Sequence, residues 1–139
     1  MEKANRQIFQ IIALILFSLW ATPATAQDSL ELRISGIESS EGKIMILVQS
    51  AEGDTLLQHI AQAKKGETIV SLPLSFGKYA IATYHDKNGN QKLDKSFLGY
   101  PTERYGFSNN ARELFGPPSL ESRVFTFSSN SKLHRIKIE

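Results

Sequence analysis

The 139-residue sequence predicts an all-β fold, a single β-sandwich of about seven strands. Short apolar segments alternate with polar residues at a period of two, Gly and Pro turns separate them, and no strongly amphipathic helix interrupts them.

The chain opens with Glu2, Lys3 and Arg6, an apolar run from Ile8 to Trp20, and Ala24-Thr25-Ala26. This is the pattern of a secretory signal peptide cleaved after Ala26, so residues 1–26 are read as the leader and 27–139 as one domain. The run is shorter than the roughly 20 residues that span a bilayer, and no membrane span is expected after cleavage. The product is expected to be periplasmic or secreted.

Sixteen Lys and Arg against fourteen Asp and Glu give a net charge of +2, and the leader holds part of that excess. No basic stripe marks a nucleic-acid binder, so no nucleic-acid partner is expected. Cysteine is absent, which excludes disulfides, thiolate metal sites, thiol catalysis and the acylated cysteine of a lipoprotein.

Along the domain, Leu30, Leu32 and Ile34 alternate with Glu31, Arg33 and Ser35 as a half-buried strand ending at Gly36. Residues Lys43–Gln49, rich in Ile, Leu and Val, read as a strand buried on both faces, forming a hairpin with the first. Thr55–Lys65 fits helical and extended spacing almost equally and is read as a strand or irregular edge. Glu67–Leu72 is a strand bounded by Pro73 and Gly77. Lys78–Tyr84 places Tyr79, Ile81 and Thr83 on one face and Ala80, Ala82 and Tyr84 on the other, the small side suggesting close packing against another layer. Ser122–Phe127 and Lys132–Ile138 complete the set.

Nearly forty residues separate the fifth strand from Ser122, where about 4 to 6 is usual for a connection. A short helix is expected near 109–115, capped by Asn109 or Asn110 and stopped by Gly116-Pro117-Pro118. The remainder is densely polar. Asp86, Asn88, Asn90 and Asp94 fall at relative positions 1, 3, 5 and 9, and Lys92 at 7 offers a main-chain carbonyl, the oxygen spacing of a calcium loop. Gln91 stands where such loops have Gly, and Phe97 where they have Glu. Lys87, Lys92 and Lys95 outnumber the two carboxylates, so any Ca²⁺ would bind weakly. The alternative is a turn closed without an ion, since Asn88-Gly89 is a strong turn pair and Asp86 and Asn90 can cap their own backbone.

Tyr100, Glu103, Arg104, Tyr105, Asn109 and Asn110, with Phe97, Phe107 and Phe115, form a second constellation. Aromatic faces beside amides and charges suit a protein, carbohydrate or small-molecule ligand, whereas a satellite apolar cluster beneath a long loop uses the same residues. A hydrolase reading requires His85, Asp86 and Ser108 to converge. Adjacent strand residues point to opposite faces, and Gly106-Phe107-Ser108 lacks the second glycine of a nucleophile elbow, so no enzyme is expected.

The ordered segments "YAIATYHDKNGNQKLD", "GYPTERYGFSNNAR" and "FGPPSLESRVF" together resemble the small exported bacterial proteins grouped as domain of unknown function 2141. The resemblance spans most of the domain and implies an immunoglobulin-like or transthyretin-like β-sandwich, exported, without implying a reaction. Asp86, Asn88, Asn90 and Asp94 match the family pattern. Gln91, Leu120 and Ser122 depart from it, standing at its Gly, Phe and Asp.

Overall fold

The computed structural model describes residues 28–139, so the leader expected at 1–26 lies outside the described residues. Its eight strands form two sheets facing each other across one core. The first sheet centres on β1 (Ser29–Ile37), which pairs antiparallel with β4 (Gly66–Pro73) and parallel with β8 (Leu133–Lys137). The second runs β3 (Thr55–Gln62), β2 (Lys43–Ser50), β5 (Gly77–Asp86), and the far side of β5 is shared by β6 (Tyr105–Phe107) and β7 (Phe125–Phe127).

Period-two patterning places the core as expected. Leu30, Leu32 and Ile34 of β1 are fully buried against Ile44 and Val48 of β2, Ile81 of β5, and Ile136 of β8. Each such side chain contributes roughly 1.5–3 kcal/mol by leaving water, so this face holds the sandwich together. Among the described residues no helix is long and apolar enough to cross a membrane.

The expected hairpin of the first two strands is not formed. The segment after β1 crosses from one sheet to the other, and β2 pairs with β3 and β5. Both strands bury one apolar face, and placing them in opposite layers lets those faces meet. Nor is β2 buried on both sides, since Met45 and Leu47 are only half-buried on the outside. Thr55–Gln62 is a true edge strand.

The eighth strand is β6, in a segment the sequence presents as loop. Three residues are too few for periodicity to register. Gly106 is required there by close approach: a Cβ would lie 2.6 Å from the Lys137 carbonyl oxygen.

The helix expected at 109–115 is also absent. Instead a 3-10 turn covers Ser108–Asn110, residues 111–115 are irregular, and a four-residue helix, α1 (Leu120–Arg123), takes part of the stretch expected to be a strand. The asparagines are engaged elsewhere. Asn109 Nδ2 donates to the carbonyls of Ser122 and Val124, and Asn110 Oδ1 accepts the Lys137 N–H, with both residues in the left-handed region. The helix forms where Ser119 can cap it, accepting from Ser122 N–H at 3.3 Å.

Between β6 and β7 the edge is broken, which would orphan the Ile81 N–H. The buried Ser108 hydroxyl accepts that bond at 2.9 Å and lies against the Arg123 carbonyl, so the gap is closed by a side chain. On the small side of β5, Ala80 is fully buried beside this segment rather than under a further sheet, while Ala82 and Tyr84 stay half-buried on the outer face.

Candidate functional site

The loop leaving β5 is organised by Asp86, which is fully buried. Its Oδ1 accepts the N–H of Gly89 at 2.8 Å and of Asn90 at 3.1 Å, and its Oδ2 accepts the N–H of Gln91 at 2.8 Å. A carboxylate with three backbone donors folds the chain around itself. Gln91 adopts φ 60°, the left-handed turn that calcium loops make with glycine at this position.

The other predicted ligand residues join the same network. Asn88 Nδ2 and Asn90 Nδ2 donate to the two oxygens of Asp94 at 2.6 and 2.9 Å, while Asn88 Oδ1 accepts from Asn90 N–H and Asn90 Oδ1 from Lys92 N–H. Glu103 clamps the loop from the far side, its two oxygens accepting Lys87 N–H and Asp94 N–H, each at 3.1 Å. Lys87 pairs instead with Glu41 at 3.6 Å. Among the described residues no three His, Asp or Glu side chains form a metal-holding group. The oxygens of Asp86, Asn88 and Asn90 are taken up by backbone N–H groups, and those of Asp94 by the two amide nitrogens.

Beyond Asp94 the chain makes a narrow excursion, closed by Thr102 N–H on the Asp94 carbonyl and by Lys95 bridging Pro101, with Phe97 and Leu98 exposed at its tip. The second predicted constellation is dispersed. Tyr100 is exposed on this excursion, Glu103 serves the loop, Arg104 pairs with Glu38, and Asn109 and Asn110 tie the β6–β7 segment to its neighbours. Tyr105 and Phe107 of that set line a cavity.

His85, Asp86 and Ser108 are not brought together. The His85 ring lies 2.7 Å from the Glu41 carbonyl oxygen, Asp86 is occupied by the loop, and Ser108 sits at Ile81. His134, stacked on Phe125 at 3.8 Å, takes the Asn109 N–H on Nε2 and is therefore neutral in this arrangement. Burial holds its pKa below the ordinary imidazole value. The unfolded chain then binds the proton more readily, so stability is full above about pH 6.5 and is lost as pH falls toward the folded-state pKa. Urea midpoints should decline across that window and decline less in His134→Phe; an equal slope in both proteins would assign the effect to other groups.

What sequence reasoning missed is the outer face of the five-stranded sheet. Register sets two rows across it: Ile60, Met45, Tyr84, Tyr105, and Gln58, Leu47, Ala82, Phe107. Gln91 and Leu93 of the Asp86 loop wall one end, enclosing a cavity of about 540 Å³. Arg112 lies 5.0 Å over the Tyr105 ring and Arg123 5.3 Å over Phe107, fixing both rings at the rim. Burial, then the negative charges of Asp86, Glu103 and Asp94, raise the Tyr84 pKa, keeping its hydroxyl protonated as a hydrogen-bond donor. The available signal was Met45 and Leu47, apolar residues on the second face of β2.

Chemically, the face offers aromatic and aliphatic contact with a few amide and hydroxyl groups at its margin. The model of a bacterial family described as "Uncharacterized protein conserved in bacteria (DUF2141)" matches residues 32–134. No curated protein and no solved structure matches the chain.

Proposed function

The chain belongs to the DUF2141 family of bacterial proteins, and from that premise we propose that it is an exported, non-catalytic binding module that takes a small, largely apolar ligand on the outer face of its five-stranded sheet. The observation carrying this reading is the 540 Å³ cavity, within the range of small-molecule sites, with an apolar floor and few polar groups. The Asp86 loop supplies its end wall, giving a long connection a reason to be ordered. A ring-bearing ligand, including a sugar presenting its apolar face, would stack on Tyr84 and Tyr105.

An anilinonaphthalene sulfonate dye is the probe. Cooperatively folded protein is expected to bind it saturably, and Ala82→Phe, which fills the floor, to weaken binding by about tenfold or more. Unsaturable binding, or affinity unchanged in Ala82→Phe, rejects this site.

A second reading draws on the left-handed turn at Gln91 and on Asn88 and Asn90 both meeting Asp94: a weak Ca²⁺ would be held by Asp86, Asn88, Asn90, Asp94 and the Lys92 carbonyl, displacing the amide hydrogen bonds to Asp94. About 10 mM Ca²⁺ should raise the melting temperature by binding the folded form alone. Asp94→Ala should abolish the shift, and no shift in the native protein removes the ion.

A further inference from the structure

The β3 strand ends the five-stranded sheet with one side open. His85 N–H donates to Arg104, so odd-numbered residues of β5 address β6 and even-numbered ones address β2. Following the pairs Tyr84↔Met45 and Ile46↔His59, the main-chain groups of Leu57, His59 and Ala61 serve β2. Those of Leu56, Gln58 and Ile60 point to the open side.

Edges are ordinarily protected by charge, proline or a bulge. The other sheet's edge, β4, carries Glu67 and Pro73. By contrast β3 reads Thr-Leu-Leu-Gln-His-Ile-Ala-Gln, without a charged residue or proline, and Leu56 and Ile60 are 52% and 49% exposed. Its only register irregularity lies at the Thr55 end.

The flanks say what covers it. Exposed Glu52 and Asp54 precede β3, exposed Lys64 and Lys65 follow it, and among the described residues none of these four side chains makes an ion pair or hydrogen bond.

We infer that β3 is the contact strand of a homodimer, pairing antiparallel with β3 of a second copy about a two-fold axis at Gln58. That register sets Leu56 opposite the second copy's Ile60, and each such pair exchanges both main-chain hydrogen bonds. It also lays the acidic approach of one copy beside the basic departure of the other. Parallel pairing would set acid on acid and base on base. The two sheets become one continuous sheet, and because Gln58 and Ile60 line the cavity, both cavities open on the same face and meet at the seam.

Sedimentation velocity of the purified protein at low salt, across a concentration series, is expected to show a reversible dimer that weakens with added salt. Gln58→Pro removes an N–H that serves no internal ladder, so it should leave a cooperatively folded monomer. Glu52→Lys with Asp54→Lys, and separately Lys64→Glu with Lys65→Glu, should each weaken self-association by about tenfold or more. Mixing these two charge-reversed proteins should restore a heterodimer. A native protein monomeric throughout the micromolar range overturns the inference. So does a dimer indifferent to Gln58→Pro, or a mixed pair that fails to associate.

Discussion

Asp86→Ala is expected to lower the unfolding free energy by about 3 kcal/mol or more, because three backbone hydrogen bonds to a buried carboxylate are lost, each worth about 1.5–3 kcal/mol, and only the Asn90 N–H keeps a second acceptor, Asn88 Oδ1. Against a typical total of about 5–15 kcal/mol, this is a large fraction of the stability. The urea midpoint reads the global effect, and amide exchange at Gly89, Asn90 and Gln91 reads the local one. Asp86→Asn should fall between, since it keeps one acceptor for Gly89 and Asn90 but turns an amide donor toward the Gln91 N–H. The variant should also weaken dye binding, because Gln91 and Leu93 wall the cavity. An unchanged midpoint and unchanged exchange in Asp86→Ala would mean that the loop holds itself by other contacts.

Gly42→Ala is expected to cost about 4 kcal/mol or more, in the range reserved for gross steric or backbone conflict. Gly42 has φ +71°, and a Cβ there would lie 2.1 Å from the Asp86 carbonyl oxygen and 2.7 Å from Lys87 Cα. Both neighbours are backbone, so no side chain can rotate away, and the start of β2 would have to separate from the end of β5. The left-handed conformation alone costs roughly 1–2 kcal/mol for a residue with a Cβ. Gly89→Ala supplies the control: its φ is +77° with nothing within 4 Å of the added atom, so only that smaller cost applies. Equal melting temperatures for the two variants would show that the close approach at Gly42 relaxes freely.

The two substitutions act on one junction. Asp86 ends β5, Gly42 leads into β2, and the His85 ring reaches the carbonyl of Glu41 beside it. This junction anchors the loop to the sheet and thereby sets the height of the cavity wall. The densest polar stretch of the chain is thus structural at its base, whatever it binds at its surface.

Residues that act through neighbours in sequence were legible before the fold was known. Leu30, Leu32 and Ile34 announced a buried face by their spacing, and Asp86 and Asn90 announced a turn closed on its own backbone, as their hydrogen bonds to nearby N–H groups do. Residues that act across the sheet were not. Tyr105 and Phe107 looked like part of an aromatic loop because three residues carry no period, and only pairing with Tyr84 and Ala82 makes them a strand whose rings line a cavity. Asn109 looked like a helix cap because its chemistry suits one, but its amide found the carbonyls of Ser122 and Val124 first.

The sequence by itself determined an all-β sandwich, its buried faces and the hydrogen-bonding chemistry of the Asp86 loop, because these depend on side-chain alternation and on contacts a few residues apart. Tertiary structure decided that β1 and β2 lie in opposite sheets, that Ser108 closes a broken edge, and that Met45, Leu47, Tyr84 and Tyr105 share one open face. Strand order and register bring together residues tens of positions apart, and the energy that selects them comes from matching whole apolar faces, which no local pattern encodes.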